Sequence, residues 1–171
     1  MVQRPEEERQ INYYRNLING LEKAQKDLED LYKKFLRPYV MERQKRFNEA
    51  KEILRKDSQD EDALIFIRKG MPLVAPKKES LFSRQGLKDS LKLSVGKIIS
   101  NLEELQEDPF ELKDVLKELK LLKNSVDGLI KTKTYDQELE VLRFIATQHE
   151  NTKNIVVENL SELKPALSNL D

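Results

Sequence analysis

The chain has 171 residues, enough for one domain with a sizeable core, and its 31 basic and 31 acidic residues cancel to a formal net charge of zero. This balance argues against bulk electrostatic attraction to nucleic acid or to an anionic membrane, and the absence of cysteine excludes disulfides, thiol catalysis and cysteine-ligated zinc. Because 36% of the residues are charged and only 6% are aromatic, the composition is typical of helical and coiled-coil proteins.

The first predicted element is one long helix over residues 5–56, with a kink at Pro38. Pro5 suits the first helical turn, and the three glutamates that follow it complement the positive end of the helix dipole. Apolar residues then recur at alternating spacings of three and four, which is typical of coiled-coil packing. This stripe contains Ile11, Tyr14, Ile18, Leu21, Leu28, Tyr32, Phe35 and Tyr39. A proline inside a helix removes one backbone hydrogen bond, so a bend is expected there.

A short apolar segment and a linker follow the long helix. Residues 61–69 could form a helix or a strand, and we favour a helix because the chain carries little other strand signal. Residues 70–86 contain two prolines and two glycines, which predicts a linker. This linker is rather apolar, so it either packs against the bundle or is presented to a partner.

Three further helices are predicted in the second half of the chain. They cover residues 87–106, a segment that begins at Asp108 and Pro109, and residues 135–162, where Pro165 disfavours continuation. The predicted fold class is therefore all-α: an elongated antiparallel helical bundle with a long, kinked, coiled-coil-like N-terminal helix. Residues 1–57, 58–86 and 87–171 are its three segments, and together they form one domain.

Residues that could carry chemistry are few. His149 is the only histidine, and we interpret it as a partly exposed helix residue without a nucleophile or carboxylate placed beside it. An acidic cluster is interpreted as a solvated helix end, because it lacks the spacing and the glycine of a calcium-binding loop. Its members are Glu103, Glu104, Glu107, Asp108 and Glu111. The chain also lacks phosphate-loop and nucleophile-elbow motifs, so we predict no catalytic residue, no metal and no cofactor.

A basic stretch at 33–46 is the strongest candidate for contact with an anionic partner. It sets six basic residues against Glu42 alone: Lys33, Lys34, Arg37, Arg43, Lys45 and Arg46. It could be a solvated helix face, a docking face for an acidic protein, or a site for nucleic acid or anionic lipid. We favour the solvated face, because the neighbouring aromatic residues follow the buried stripe instead of alternating outward with the lysines.

The sequence predicts a non-catalytic interaction or assembly subunit, an adaptor or scaffold that binds another protein or itself through coiled-coil-like surfaces. The predicted hydrophobic contact residues are Ile11, Tyr14, Ile18, Leu21 and Leu28 of the long helix, with Leu73, Val74, Leu81 and Phe82 of the linker. The alternative is a nucleic-acid-binding accessory factor that uses the basic stretch at 33–46. A polar N-terminus and the lack of a long apolar run predict a soluble intracellular protein, cytoplasmic or nuclear, without a membrane span.

Overall fold

A computed structural model describes residues 5–69, 83–107 and 111–170, and the regular structure of these residues is entirely helical. The helices are α1 (Pro5–Leu31), α2 (Arg37–Lys56), α3 (Glu61–Lys69), α4 (Arg84–Leu105), α5 (Lys113–Ser125) and α6 (Tyr135–Leu170). A π-helical turn at Tyr32–Leu36 joins α1 to α2, and a 3₁₀ segment at Val126–Lys131 follows α5. The predicted all-α class is confirmed, and so is the helix at 61–69. None of the described helices combines the length and the apolar character needed to cross a membrane.

The long N-terminal helix continues through Pro38 by means of the π-helical turn. The N–H of Arg37 donates to the carbonyl of Tyr32, five residues earlier, so the helix widens directly before the proline. Proline has no N–H, and its ring would crowd the carbonyl one turn earlier in a regular α-helix. The prediction of one long element over residues 5–56 is confirmed, and the π-helical turn is the local adjustment at the proline.

Four helices form an antiparallel bundle in which each helix packs against two neighbours. α1 lies between α4 and α6, and α5 lies between the same two helices on the other side. Two residue pairs show that α1 and α6 run in opposite directions: Leu28 with His149, and Glu22 with Lys164. The end of α4 meets the start of α1, where the backbone N–H of Glu107 donates to the hydroxyl of Tyr13 over 3.0 Å. The predicted antiparallel bundle is confirmed.

The bundle core is built mainly from leucine, isoleucine and valine. Leu17, Leu21 and Leu28 of α1 are completely shielded from solvent, and the inward faces of α4, α5 and α6 supply matching side chains. Each fully buried leucine stabilises the fold by about 1.5–3 kcal/mol relative to an exposed one. At Gly20 the backbone of α1 comes so close to α4 that a β-carbon would overlap the side chain of Leu105.

The second half of the long helix continues past the bundle and is covered by α3. The ring of Phe47 stacks on Tyr135, the first residue of α6, with centroids 4.3 Å apart, and α2 continues from there to Lys56. α3 folds back against α2 and the start of α6. A second hydrophobic cluster forms between these elements from Ala50, Ala63, Phe66 and Tyr135. We call α2 and α3 together the arm.

The last helix is longer than predicted. The sequence predicts an end near residue 162, but α6 continues through Pro165 to Leu170, so this prediction was wrong. Leu163 is buried and Leu167 packs against the core, whereas Pro165 is exposed. Packing on the inner face therefore holds the last two turns in place, and the missing N–H of the proline is on the side that faces water.

The start of α4 also differs from the predicted one. α4 begins at Arg84 instead of 87, because the hydroxyl of Ser83 caps it by accepting from the N–H of Gly86 over 2.9 Å. The predicted start of the next helix at Asp108 and Pro109 lies outside the described residues. That helix, α5, ends at Ser125, and the segment from Val126 is a 3₁₀ helix.

Candidate functional site

A cluster of charged side chains is buried where the arm joins the bundle. Glu138, in the first turn of α6, is completely buried, and its Oε1 accepts from the hydroxyl of Tyr39 at 2.5 Å and from Nε of Arg43 at 2.9 Å. Its Oε2 accepts from Nη2 of Arg43 at 2.7 Å and from Nε of Arg84 at 3.3 Å. Arg84 also donates from Nη1 to the carbonyl of Thr132 at 2.8 Å. We call Tyr39, Arg43, Arg84 and Glu138 the Glu138 cluster.

The Glu138 cluster ties three helices together and is closed over by a fourth. Tyr39 and Arg43 come from α2, Arg84 is the first residue of α4, and Phe66 of α3 lies over the guanidinium of Arg43, 4.9 Å from Cζ to the ring centroid. Burial, and next the nearby carboxylate of Glu138, raise the pKa of the Tyr39 hydroxyl far above its usual value. The phenol therefore stays protonated and serves as a hydrogen-bond donor. Both carboxylate oxygens of Glu138 accept hydrogen bonds from neighbouring side chains. This arrangement fixes the positions of the helices relative to one another.

His149 is a core residue and not the partly exposed one that the sequence predicts. Its Nε2 lies 2.8 Å from the carbonyl oxygen of Leu28, and its ring stacks on Tyr32 with centroids 5.2 Å apart. A carbonyl oxygen only accepts hydrogen bonds, so Nε2 carries the proton. Burial lowers the pKa of His149, which keeps the imidazole neutral at pH 7. The sequence does contain the signal for burial, because His149 stands four residues after Ile145 and seven before Val156, both of which are buried.

We expect acid to weaken the fold through His149. The folded state lowers the pKa of this imidazole, so the unfolded state binds the proton more tightly. The contribution of neutral His149 is complete above the unfolded pKa of about 6.5 and is lost as the pH falls below it. Urea unfolding at pH 7.5 and pH 5.5 measures the effect. Between these two values, the free energy of unfolding should fall more for the wild type than for His149→Gln, which lacks the chain's one imidazole. Equal losses in both proteins would contradict this assignment.

The six basic residues of the predicted basic face have different surroundings in the structure. Lys33, Lys34, Arg37 and Lys45 are exposed, as expected for a solvated surface. Arg43 lies inside the Glu138 cluster, and Arg46 bonds to Glu42 on its own helix with Nε 3.1 Å from Oε1. The prediction that Arg43 belongs to an anion-binding surface is therefore corrected, because its side chain is buried against Glu138. The signal for its burial was its position four residues after Tyr39 and seven before Ala50, both buried.

The predicted hydrophobic contact residues of the long helix lie mostly in the chain's own core. Ile11, Ile18, Leu21 and Leu28 are buried in α1, which packs against α4 and α6, and Tyr14 is half-buried. Contact between these side chains and a partner would require the bundle to open. The sequence could not distinguish a stripe that packs in the chain's own core from one that binds a partner. A heptad stripe packs equally well on helices of its own chain and on those of another. The predicted contact residues Leu73, Val74, Leu81 and Phe82 lie outside the described residues.

The described members of the acidic cluster show no arrangement suited to a metal ion. Across residues 5–69, 83–107 and 111–170, no group of three or more histidine, aspartate and glutamate side chains is placed to hold one. Glu103 instead pairs with Lys120 at 3.9 Å, and Glu107 with Arg9 at 3.6 Å. These are exposed pairs on the bundle surface, and Asp108 lies outside the described residues.

Two large apolar side chains are exposed at the same height on the outer side of α5 and α6. Leu121 is 46% exposed and Phe144 is 61% exposed. The amide Nε2 of Gln148 donates to Oε2 of Glu118 over 2.6 Å, which aligns the two helices at this level. Leu121 lies one turn after Glu118, and Phe144 lies one turn before Gln148. Because α5 and α6 are antiparallel, both shifts lead towards the same end of the bundle.

We call Leu121, Phe144 and the half-buried Val141 the outer α5–α6 face. Val141 lies three residues before Phe144, next to Gly128 in the 3₁₀ segment that follows α5. Asn124 and Thr147, three residues further along each helix, are uncharged, whereas Lys117 and Glu118 precede Leu121 and Glu140 precedes Phe144. Sequence reasoning missed this face because it followed the buried stripes, and the available signal was an apolar residue that falls outside the stripe of its own helix.

Comparison of the chain with protein-family models, with curated proteins and with solved structures found no significant match.

Proposed function

We propose that this chain is a non-catalytic interaction or assembly subunit that binds another protein through the outer α5–α6 face. The observation that carries the proposal is the exposure of Leu121 and Phe144 at one level of two adjacent helices. Single exposed apolar residues are common on protein surfaces, whereas a group on a rigid scaffold is a candidate contact site. Aromatic side chains that become buried in a partner often contribute most of the binding energy.

Two further features support an interaction role over a catalytic one. Among the described residues, the Glu138 cluster and His149 contain buried titratable groups of the kind that catalysis uses, and both bond to groups of the fold itself. Their hydrogen bonds connect different helices of the chain, so they contribute to the rigidity of the scaffold. A rigid helical surface suits protein recognition because little conformational entropy is lost on binding.

The nucleic-acid alternative receives less support from the geometry. Arg43 bonds to a buried carboxylate and Arg46 bonds to Glu42, so both cations are neutralised within the chain. The four that stay exposed are Lys33, Lys34, Arg37 and Lys45. Each phosphate contact adds to the salt dependence of binding, so a smaller set of cations supports weaker attraction.

Replacing both exposed side chains by lysine tests the proposal. In this test, the wild type is used to capture partner proteins from an extract of its native source. We expect the double variant Leu121→Lys with Phe144→Lys to lose this capture, because two cations would face an apolar surface of the partner. Leu93→Lys is the matched control, since Leu93 on α4 is 62% exposed and stands between Asp89 and Lys97 on its own helix face. Circular dichroism and urea unfolding should show all variants folded. Capture of the same proteins by the double variant would exclude this face.

A further inference from the structure

α3 is a short helix that depends on its docking. It has nine residues, and isolated helices shorter than about 12–15 residues are marginal in water. Local bonding helps at its start, where Oδ1 of Asp60 accepts from the N–H of Ala63 over 3.0 Å. Ala63 and Phe66 are completely buried, whereas Ile65 on the outer side is exposed. These two inward side chains, with the half-buried Ile67 packed beside them, therefore hold α3 in place.

The apolar cluster under α3 is distinct from the bundle core. Within the described residues it contains Ala50, Ala63, Phe66 and Tyr135 as fully enclosed members, and it does not merge with the core formed by α1, α4, α5 and α6. Regions of a protein that share no core can open with different free energies. The loss of contacts under α3 leaves the packing of the four bundle helices in place.

Opening of α3 would also relieve part of the cost of burying the Glu138 cluster. The ring of Phe66 covers the guanidinium of Arg43 and lies 5.9 Å from the ring of Tyr135. Charged groups lose hydration when they are buried, and this penalty is returned in part when water reaches them. Hydration of Arg43 therefore offsets some of the apolar burial that is lost when Phe66 moves away.

We propose that α3 is a lid that opens independently of the four-helix bundle and admits water to the Glu138 cluster. In the closed state Phe66 shields Arg43, and in the open state the guanidinium of Arg43 and the ring of Tyr135 become accessible. The bundle keeps its packing in both states, since the residues that hold it together belong to the other cluster. This device does not depend on the proposed binding role of the outer α5–α6 face.

Native-state thiol labelling tests the lid, because the chain contains no cysteine that would interfere. Ala63→Cys places a thiol beneath α3, and Ala24→Cys places one at an equally buried alanine of the bundle core. We expect the thiol at position 63 to react at least about tenfold faster than the one at 24, relative to each variant's global stability, since local opening costs less than global unfolding. Its rate should also depend weakly on low urea concentrations.

A second position keeps the test decisive. Ala50→Cys lies on α2 under the same lid, and it takes the place of Ala63→Cys if that variant fails to fold. Adding Phe66→Leu should accelerate labelling at position 50 or 63 and leave labelling at position 24 unchanged after the same correction. Equal protection of the thiols under α3 and in the bundle core, with both rates following global unfolding, would overturn the proposal.

Discussion

Replacing Glu138 with glutamine is expected to lower the free energy of unfolding by about 3–5 kcal/mol, a large fraction of the 5–15 kcal/mol typical of a domain. The carboxylate neutralises Arg43, whose side chain is only 5% exposed, and it also pairs with Arg84. Glutamine keeps the shape but removes the negative charge, and its NH₂ group would face donors. The buried guanidinium of Arg43 would then lose the counter-charge of Glu138. Urea unfolding monitored by circular dichroism measures the change.

The control for this variant is Glu52→Gln, which makes the same chemical change at an exposed pair. Glu52 bonds to Arg55 on the surface of α2, with Oε1 and Nη2 2.7 Å apart, and exposed pairs contribute about 0–1 kcal/mol. A cycle with Arg43→Met adds a second check, since the loss in the double variant should be smaller than the sum of the single losses. Equal, small effects at positions 138 and 52 would show that the Glu138 cluster does not hold the arm to the bundle.

The second large effect is expected at Leu21, where alanine should cost about 2–5 kcal/mol. Leu21 is completely buried in α1, so truncation leaves a cavity in the bundle core. Leu93→Ala removes the same atoms from an exposed site and should change stability by less than about 0.5 kcal/mol. This pair separates the two roles considered for the stripe of α1. A partner-binding residue at position 21 would tolerate alanine in the isolated protein, whereas a core residue would not.

Sequence periodicity predicted the elements of this fold better than their roles. The apolar stripe of α1 was visible as a heptad pattern, and it is indeed one continuous buried surface. The pattern reports that the stripe is covered, but the covering helix can belong to the same chain or to another. The end of α6 was missed because a proline was weighed as a local helix breaker, whereas Leu167 packs on the core beyond it.

The buried polar residues were the hardest to predict, for a physical reason. Glu138 lies three residues after Tyr135 and four before Leu142, both buried, so its helical position pointed inward. A charged residue at an inward position needs a partner, and that partner, Arg43, is 95 residues away in the chain. Local spacing cannot identify such a pair, because only the three-dimensional packing of α2 against α6 brings the two side chains together.

The outer α5–α6 face is the central functional claim, and the dissociation constant of a captured partner tests it most directly. We expect Phe144→Lys to raise this constant by at least about 30-fold, since loss of an apolar anchor typically costs 2 kcal/mol or more. Leu93→Lys, and Lys33→Glu combined with Lys34→Glu, should leave it within about threefold at physiological salt, because rim and remote charges contribute little affinity. An unchanged constant for Phe144→Lys, with a large rise for the charge reversal at 33 and 34, would contradict the account and assign binding to the basic side of the long helix.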